Sequence, residues 1–308
     1  MSYTNQRIAY GSTLVALGAE NPNIVVLEAD LGKSTMSHMF EEAYPDRYFE
    51  MGIAEADMTS VAAGLSLTGK IPFTNSFAVF SAGRAYDQIR QTIAIGRLNV
   101  KICGSSSGCS DFGDGATHQS IEDIAIMGAI PNMTVLCPAD ANETEKAVRA
   151  IAALDGPCYI RLNRNSYENI TAEDAPFAIG QPLVLREGAD VVVFATGYMC
   201  KRALDAADML KEKISVKVVN ISTIKPLNEA GIVALTRGCK GIVTAEEHSI
   251  VGGLGSAIAR ATRRLGLPME YVGIADQFGC SAHSYEDILD HMDLTTARIC
   301  SAVESIHQ

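Results

Sequence analysis

Glu55 is the residue whose surroundings point most directly to chemistry. It lies in the segment MGIAEADM, residues 51–58, among small and apolar side chains where a strand is predicted to give way to a helix. A carboxyl group in apolar surroundings loses its hydration, which is costly unless the group is paired or takes part in a reaction. We therefore predict a catalytic or ligand-binding role for Glu55.

Two phenylalanines, Phe77 and Phe80, follow Glu55 and are three residues apart. On a helical turn this spacing places both rings on one face. Such a face would hold a heteroaromatic ring within reach of the carboxyl group. The alternative is that both rings belong to the hydrophobic core, and the spacing alone favours that interpretation.

A segment rich in glycine and serine, GSSSGCSDFGDGATHQ at residues 104–119, lies between a predicted strand and a helix that is predicted to begin near Ile121. Loops at the carboxyl ends of parallel strands are where α/β proteins bind their ligands. Asp114 and His118 both lie in this loop, and we predict that they take part in the site. A structural role for the histidine is an equally good interpretation of the sequence alone.

The composition limits the classes of function. The chain has 308 residues, of which 47% are hydrophobic and 20% charged, as expected of a globular protein with two domains. Its net charge of −11 argues against binding to nucleic acid, which depends on an excess of lysine and arginine. Small metabolites and protein partners fit this charge better.

We expect no contact with a membrane and a location in the cytoplasm. No run of apolar residues approaches the length needed to span a bilayer, and the first residues lack the apolar core of a signal peptide. The eight cysteines are scattered and form no CxxC pair, which favours buried thiols in a reducing compartment.

Short apolar runs alternate with helical patterns along the chain, and this alternation predicts an α/β fold with mainly parallel strands. The predicted strands are residues 24–29, 100–104, 134–137, 158–162, 191–195, 216–221 and 241–245. A helix is predicted over residues 142–154, with Asp140 as its N-cap.

The division into domains follows from a break in this alternation. Residues 166–187 contain prolines and a glycine, show little periodicity and are predicted to be a linker. We therefore expect one doubly wound domain over residues 1–165 and a second over residues 188–308.

In their order and spacing these motifs resemble the second half of transketolases. The resemblance rests on GIAE at residues 52–55, the aromatic run that ends at Phe80, GDGATHQ at 113–119, IPNM at 130–133, and the segments 155–164, 244–255 and 276–279. It covers nearly the whole chain. It implies a thiamine diphosphate pyrimidine-binding domain followed by a transketolase C-terminal-like domain.

The resemblance implies thiamine diphosphate as the cofactor. Glu55 matches the glutamic acid that hydrogen-bonds atom N1′ of the cofactor's aminopyrimidine, and for this its carboxyl group must carry a proton. Phe80 matches the stacking face for the pyrimidine, with Phe77 beside it. Asp30 matches an acid near the thiazolium ring.

The resemblance also implies the residues that bind the substrate. Asp114 matches a residue that contacts a substrate hydroxyl group, and His118 matches one that contacts the reacting centre. Ser34 and Arg164 match residues that hold a substrate phosphate, and Arg161 is a second candidate. An arginine fork is a natural partner for such a group.

Two positions depart from the family's pattern. Ser106 stands where transketolases usually have a substrate-binding histidine, and it is kept as a candidate substrate-binding residue. Gly83 stands where an aromatic residue usually lines the pyrimidine pocket. The identity of the substrate, and its need for a phosphate, therefore stay open.

No metal site is expected in this chain. The family binds the cofactor's diphosphate through a metal ion on a separate domain, marked by Gly-Asp-Gly and a later asparagine. Residues 113–115 and Asn142 imitate this pattern, but the triplet runs directly into ATHQ and Asn142 begins a helix, so we reject the match. The diphosphate and its Mg²⁺ or Ca²⁺ are expected to be held by a partner subunit.

These inferences predict the smaller subunit of a split transketolase, which transfers a two-carbon ketol unit between sugar phosphates. Because the chain begins where the second half of a transketolase begins, we expect a separate N-terminal-half subunit and an α2β2 assembly. The nearest alternative is the β subunit of a 2-oxo acid dehydrogenase E1 component, or another thiamine-dependent transferase. A non-catalytic α/β subunit, such as an electron-transfer flavoprotein chain, is a further one.

Overall fold

The computed structural model describes residues 3–308. The strands in this range are β1 Tyr3–Asn5, β2 Ile24–Glu28, β3 Tyr48–Glu50, β4 Ile71–Phe77, β5 Lys101–Ser105, β6 Thr134–Leu136, β7 Cys158–Arg161, β8 Ser166–Glu168, β9 Leu183–Arg186, β10 Val191–Ala195, β11 Val216–Asn220, β12 Thr223–Lys225, β13 Gly241–Ser249 and β14 Met269–Ile274. All the strands predicted from the sequence are present, and apart from the longer β13 their ends differ from the prediction by at most one residue.

The helices in the same range are α1 Gln6–Glu20, α2 Gly32–Thr35, α3 His38–Ala43, α4 Glu55–Leu67, α5 Tyr86–Gln88, α6 Asp123–Ala129, α7 Ala141–Ala153, α8 Met199–Leu210, α9 Glu229–Leu235, α10 Leu254–Thr262, α11 Tyr285–His291 and α12 Thr296–His307. Short 3₁₀ turns lie at Pro45–Arg47 and Gly115–Thr117, and π-helical turns flank α5 at Val79–Arg84 and Ile89–Ala94. Asp140 caps α7 as predicted, because its carboxylate accepts a 2.9 Å hydrogen bond from the backbone N–H of Glu143.

Two large sheets form the framework of the molecule. The first has the strand order β12-β6-β7-β5-β4-β2-β3, and the second has the order β14-β13-β10-β11-β9. Neighbouring strands are parallel except in the edge pairs β12–β6 and β11–β9, which are antiparallel. The predicted α/β class, with two mainly parallel sheets, is confirmed.

Burial explains why these segments form central strands. β2, β5, β7 and β10 are buried at every position, as expected of parallel strands whose two faces are both covered. One apolar cluster continues from the first sheet, where it includes Ile102, into the second sheet, where it includes Phe194. The two sheets therefore share part of their core.

Some segments near the predicted linker have roles that the sequence did not indicate. Residues 166–187 contain β8, which pairs with β1, and β9, which forms an edge of the second sheet. β12 lies in the second half of the chain but extends the first sheet beside β6. Because β12 lies beyond residue 188 but belongs to the first sheet, the two sheets do not divide at these positions. The domain boundaries at 165 and 188 therefore stay a prediction.

The predicted site residues follow the carboxyl ends of strands in the first sheet. Phe77 is the last residue of β4, the loop with Asp114 and His118 follows β5, and Arg164 lies just beyond β7. Open α/β sheets bind their ligands at this edge. The fold thus brings distant parts of the sequence to one place.

Candidate active site

Glu55 is the first residue of α4, and its side chain is buried with 2% exposure. The chain reaches it from β3 through a turn at Gly52, whose φ of +66° lies in the left-handed region that favours glycine. Oε2 of Glu55 accepts a 2.9 Å hydrogen bond from Nη1 of Arg84, whose side chain is 51% exposed. The buried acid therefore lies directly beneath a half-exposed guanidinium group.

An aromatic face lies beside this acid. Phe77 ends β4 and Phe80 lies in the π-helical turn that follows, and their rings stack with centroids 6.1 Å apart and planes 13° apart. The guanidinium carbon of Arg84 lies over the Phe80 ring, 4.9 Å from its centroid, in a cation–π contact. Phe77 is buried and Phe80 is half-buried, so Phe80 is the ring open to a ligand.

His118 stands edge-on to both rings. Its ring centroid lies 6.2 Å from that of Phe77 and 5.3 Å from that of Phe80. The residue follows the 3₁₀ turn Gly115–Thr117, and its Nδ1 atom lies 2.9 Å from Oγ1 of Thr117. The structure thus brings the predicted histidine against the predicted aromatic face.

Asp114 lies in the same loop as His118, and Arg164 contacts this loop. Nη1 of Arg164 donates a 2.5 Å hydrogen bond to Oδ2 of Asp111 and lies 4.0 Å from Oδ2 of the exposed Asp114. Burial raises the pKa of the Asp111 carboxyl above its ordinary value, while the charge of Arg164 opposes that rise. The guanidinium carbon of Arg164 is also 6.0 Å from the Phe77 centroid, so the loop acids, the histidine and the arginine form one cluster.

Arg7, in the first turn of α1, extends this cluster toward Ser34. Its Nη1 atom donates a 2.6 Å hydrogen bond to the backbone carbonyl of Ser34. Asn5, the N-cap of α1, holds Arg7 and Arg164 together, because it accepts from the Arg7 backbone N–H at 2.9 Å and donates to the Arg164 carbonyl at 2.7 Å. Burial, and then the charge of Arg164, lower the pKa of Arg7 to about 10. Two guanidinium groups near one buried carboxylate form a region suited to an anion.

Arg7 and Arg84 were not identified from the sequence. Arg7 carries one available indication, because a cation in the first turn of a helix opposes the helix dipole and is uncommon without a partner. Arg84 carries none, since its contact with Glu55 joins residues 29 positions apart.

Asp30 lies near the turn that leads to Glu55, and its role beside the cofactor stays a prediction. Its side chain is exposed and its φ is +60°. Its backbone N–H donates a 2.9 Å hydrogen bond to Oε1 of Glu50, which also accepts from the N–H of Gly52 at 2.8 Å. The structure records no side-chain hydrogen bond of Asp30 among the described residues.

The structure corrects the prediction that Arg161 is a second phosphate-binding residue. Arg161 ends β7, and its Nε atom donates a 2.9 Å hydrogen bond to Asp123, with side-chain exposures of 2% and 0%. Its other nitrogen atoms lie 3.3–3.4 Å from the backbone carbonyls of Ser120 and Glu247. A guanidinium group enclosed in this way has no surface to offer a substrate.

Ser106 is also enclosed, contrary to its prediction as a substrate-binding residue. It is 0% exposed, its φ is +52°, and its Oγ atom has no hydrogen-bond partner among the described residues. It therefore lies beneath the loop and not on the surface that Asp114 and Arg164 share.

Asn142, whose match to a metal-binding pattern is rejected above, has a structural role, and so have the buried Glu246 and His248. Asn142 donates a 2.7 Å hydrogen bond to the carbonyl of Thr171. Glu246 caps α10 by accepting from the backbone N–H groups of Leu254 and Gly255, and the buried His248 beside it faces the carbonyl of Ser249. Within residues 3–308 no group of three or more histidine, cysteine, aspartate or glutamate side chains is placed to hold a metal ion.

The helices were also compared with the length of a membrane span. Across residues 3–308, no helix combines the length and the apolar character that crossing a bilayer requires. All eight cysteines are free, and only Cys280 is exposed.

Taken along one line, the site begins at a buried acid and ends at two cations. Arg84 lies over Phe80 and against Glu55 at the first end. His118, beside the Phe80 ring, and Asp114 in the same loop come next. Arg7 and Arg164 lie beyond them and offer charge to an anionic end.

Two family models match the chain: "Transketolase, pyrimidine binding domain" over residues 3–169 and "Transketolase, C-terminal domain" over residues 180–299. A Methanocaldococcus jannaschii protein named as a transketolase C-terminal section is 44% identical and covers 92% of this chain and 90% of its own length. A 6-deoxy-6-sulfo-D-fructose transketolase subunit of Clostridium sp. is 41% identical and covers 89% and 85%. A solved structure described as a split gene transketolase, inactive β4 tetramer, is 44% identical, with a TM-score of 0.90 and 99% of each chain covered.

Proposed function

Because the chain belongs to the transketolase family, as its pyrimidine-binding and C-terminal sections, we propose that it is the smaller subunit of a split transketolase. In this function it transfers a two-carbon ketol unit from a ketose phosphate to an aldose phosphate, together with a partner subunit. Thiamine diphosphate, when bound, supplies the carbanion that such a transfer requires.

The position of Arg84 is the single observation that supports this function best. Its guanidinium group, a flat hydrogen-bond donor, lies on the face of Phe80 and donates to the buried Glu55. An aminopyrimidine ring combines a flat face with polar nitrogen atoms, so the same two residues fit the pyrimidine of the cofactor. Glu55 would hold a proton toward ring atom N1′, and Phe80 would stack on the ring with Phe77 behind it.

The other residues of the cluster are proposed to act on the substrate. Asp30 would lie near the thiazolium ring, His118 near the reacting centre, and Asp114 at a substrate hydroxyl group. Arg7 and Arg164 would hold the terminal anion, with Ser34 beside them; this list adds Arg7 to the residues expected from the sequence.

We propose a separate partner subunit that binds the diphosphate and its Mg²⁺ or Ca²⁺, in an α2β2 assembly. The support comes from relatives of about the same length as this chain. The match covers 90% of the transketolase C-terminal section and 99% of the split gene transketolase chain. The cytoplasm is the proposed location, in keeping with eight free cysteines.

The terminal anion of the substrate is proposed to be a phosphate. A sulfonate is the competing possibility, because the Clostridium relative is named for a sulfo sugar and both groups offer several oxygen atoms to arginine. Ketol transfer with a phosphorylated, a sulfonated and an uncharged ketose of equal chain length shows whether a phosphate, a sulfonate or no anion is required.

The test of the function is ketol transfer by the chain reconstituted with a transketolase N-terminal-half subunit, thiamine diphosphate and Mg²⁺. We expect Glu55→Ala to lower kcat by about 10²–10⁴-fold, the usual contribution of a positioned proton-transfer group. Asp57→Ala is the matched control, since Asp57 is an exposed acid on the same helix. Turnover of the Glu55 variant within a few-fold of wild type would refute the assignment.

The nearest alternative, the β subunit of a 2-oxo acid dehydrogenase E1 component, is tested in parallel. Such a complex reduces a lipoyl domain at the expense of a 2-oxo acid. Lipoyl reduction without ketol transfer would replace the proposed function, and the reverse result would support it.

A further inference from the structure

The loop from Asp111 to Gln119 is held from two sides. On its own domain, Arg164 pairs with Asp111, and the backbone N–H groups of Gly115 and Gln119 donate to carbonyls within the loop. On the other side lies the segment 279–282, which belongs to the second half of the chain and follows β14. The loop that presents Asp114 and His118 therefore depends on a distant segment.

Two direct hydrogen bonds join these segments. The backbone N–H of Ala282 donates to the carbonyl of Phe112 at 2.8 Å. The side-chain amide of Gln119 donates to the carbonyl of Cys280 at 3.0 Å and to that of Asp111 at 3.2 Å. Gln119 is 3% exposed, so this amide links the two segments in the interior of the protein.

Two glycines allow the close approach. A Cβ atom on Gly279 would overlap Oε1 of Gln119. Gly115 has a φ of +76°, and a Cβ atom on it would lie 2.5 Å from Oγ of Ser281. Neither position has room for a larger side chain without displacement of the opposite segment.

We propose that the segment 279–282 clamps the loop 111–119 through the amide of Gln119, and that Gln119 is a positioning residue for Asp114 and His118. Gln119 lies next to His118 in the chain, and its amide fixes the end of a loop whose residues 113, 114, 116 and 117 are exposed. Without the amide of Gln119, the loop keeps the contact of Arg164 with Asp111 and the backbone hydrogen bonds described above. The role in catalysis rests on the proposed function, whereas the clamp itself is a property of the folded chain.

The first experiment measures amide hydrogen exchange of residues 111–119 in the full chain. Gln119→Glu keeps the size of the side chain but places a carboxylate against two carbonyl oxygens, so exchange of the loop should rise by about tenfold or more. Gly113→Ala is the matched control, because nothing lies within 4 Å of a Cβ atom at that position. Exchange should be unchanged there.

A second pair of variants tests the contact itself. Gly279→Ala forces its methyl group onto Gln119 and should raise loop exchange. Gln119→Ala removes the atom that the methyl group would meet, so Gln119→Ala with Gly279→Ala should exchange no faster than Gln119→Ala alone. Additive effects of the two substitutions would overturn the contact as the cause.

Steady-state kinetics of the reconstituted complex supply the last measurement. Gln119→Glu should lower kcat by about tenfold or more, with a smaller change in KM for the cofactor, because the reacting groups lose their alignment. Wild-type loop exchange in Gln119→Glu would overturn the clamp whether or not the complex is active. Faster exchange with wild-type kcat would overturn the positioning role. Faster exchange together with a wild-type complex that transfers no ketol unit would refute the proposed function and leave the clamp standing.

Discussion

Arg161 and Arg164 are three residues apart in the sequence and lie in regions of opposite character. The Arg161 side chain is 2% exposed and faces Asp123, which is itself 0% exposed. The Arg164 side chain is 35% exposed, contacts the carboxylates of Asp111 and Asp114, and lies near the like-charged Arg7. One arginine belongs to a closed polar layer between the two sheets, and the other belongs to an open site.

The difference shows what makes an arginine available to a ligand. A buried guanidinium group must satisfy its donors within the protein, since an unpaired buried charge is very costly. Arg161 meets this requirement with Asp123 and backbone carbonyls from both parts of the chain. Arg164 keeps part of its surface free, so a substrate anion can complete its contacts.

The largest expected effect is on folding and comes from the closed region. Arg161→Met leaves the carboxylate of Asp123 buried without its cation, which should lower the unfolding free energy by about 3–5 kcal/mol. Urea denaturation measures this loss. Arg161→Met with Asp123→Leu should recover much of it, and an unchanged stability in the single variant would mean that the closed region is not held by this pair.

The next effect is on activity and comes from the open region. Arg164→Met should lower kcat/KM for a sugar phosphate by about 10- to 100-fold, the value of a hydrogen bond to a charged group. It should also lower stability, because it removes the partner of the buried Asp111. An uncharged ketose should show a much smaller loss. Arg149→Met, at an exposed pair with Glu20, is the control, and equal losses with both ketoses would contradict the assignment.

A pH dependence distinguishes the two regions further. Burial raises the pKa of Glu247 from its ordinary 4.5 to about 7, and Glu247 accepts hydrogen bonds from the Cys109 backbone and the Tyr285 hydroxyl in the closed region. The folded chain therefore holds this proton more tightly than the unfolded chain. Its contribution to stability is complete below about pH 4.5 and is lost as the pH rises through 7.

Glu247→Gln should remove this part of the dependence. Thermal denaturation of wild type and variant is compared between pH 5 and pH 8. The unfolding free energy of the wild type should fall further with rising pH, by about 1.4 kcal/mol for each unit by which the Glu247 pKa is raised. Burial also lowers the pKa of His248, to about 4, but this contribution is present in both proteins and cancels in the comparison. Parallel stability curves would show that Glu247 does not titrate in this range.

The smallest effect concerns Arg84, which is intermediate between the two regions because it joins an exposed cation to a buried acid. In the proposed binding mode the pyrimidine ring displaces its guanidinium group, and a half-exposed ion pair contributes about 1 kcal/mol or less. Arg84→Met should therefore tighten binding of thiamine diphosphate to the reconstituted complex by up to about fivefold, measured by calorimetry. Weaker binding would mean that Arg84 contacts the cofactor, and the exposed Arg90→Met serves as control.

Much of the framework could be predicted from the sequence because central parallel strands are apolar at consecutive positions. β4 was missed as a strand, since its sequence IPFTNSF mixes polar and apolar residues although its residues from Pro72 onward are buried. Asn75 is accommodated there by hydrogen bonds with the carbonyl of Leu27 and the hydroxyl of Tyr10, residues far away in the chain. No local pattern records such partners.

The candidate site shows the same limit. Glu55, His118 and the rings of Phe77 and Phe80 were identified from short motifs, and the structure brings them together. Arg7 could not be paired with Arg164 from the sequence, because Asn5 joins them across 159 residues. The exclusion of Ser106 likewise depended on burial.

The sequence by itself determined the α/β class and the order of the site motifs along the chain, because backbone hydrogen bonding and the burial of apolar runs act over short stretches. Only the tertiary structure decided which charged groups face solvent and which are enclosed. That decision depends on residues far away in the chain that supply or withhold partners: Asp123 lies 38 positions from Arg161, and Asp111 lies 53 positions from Arg164.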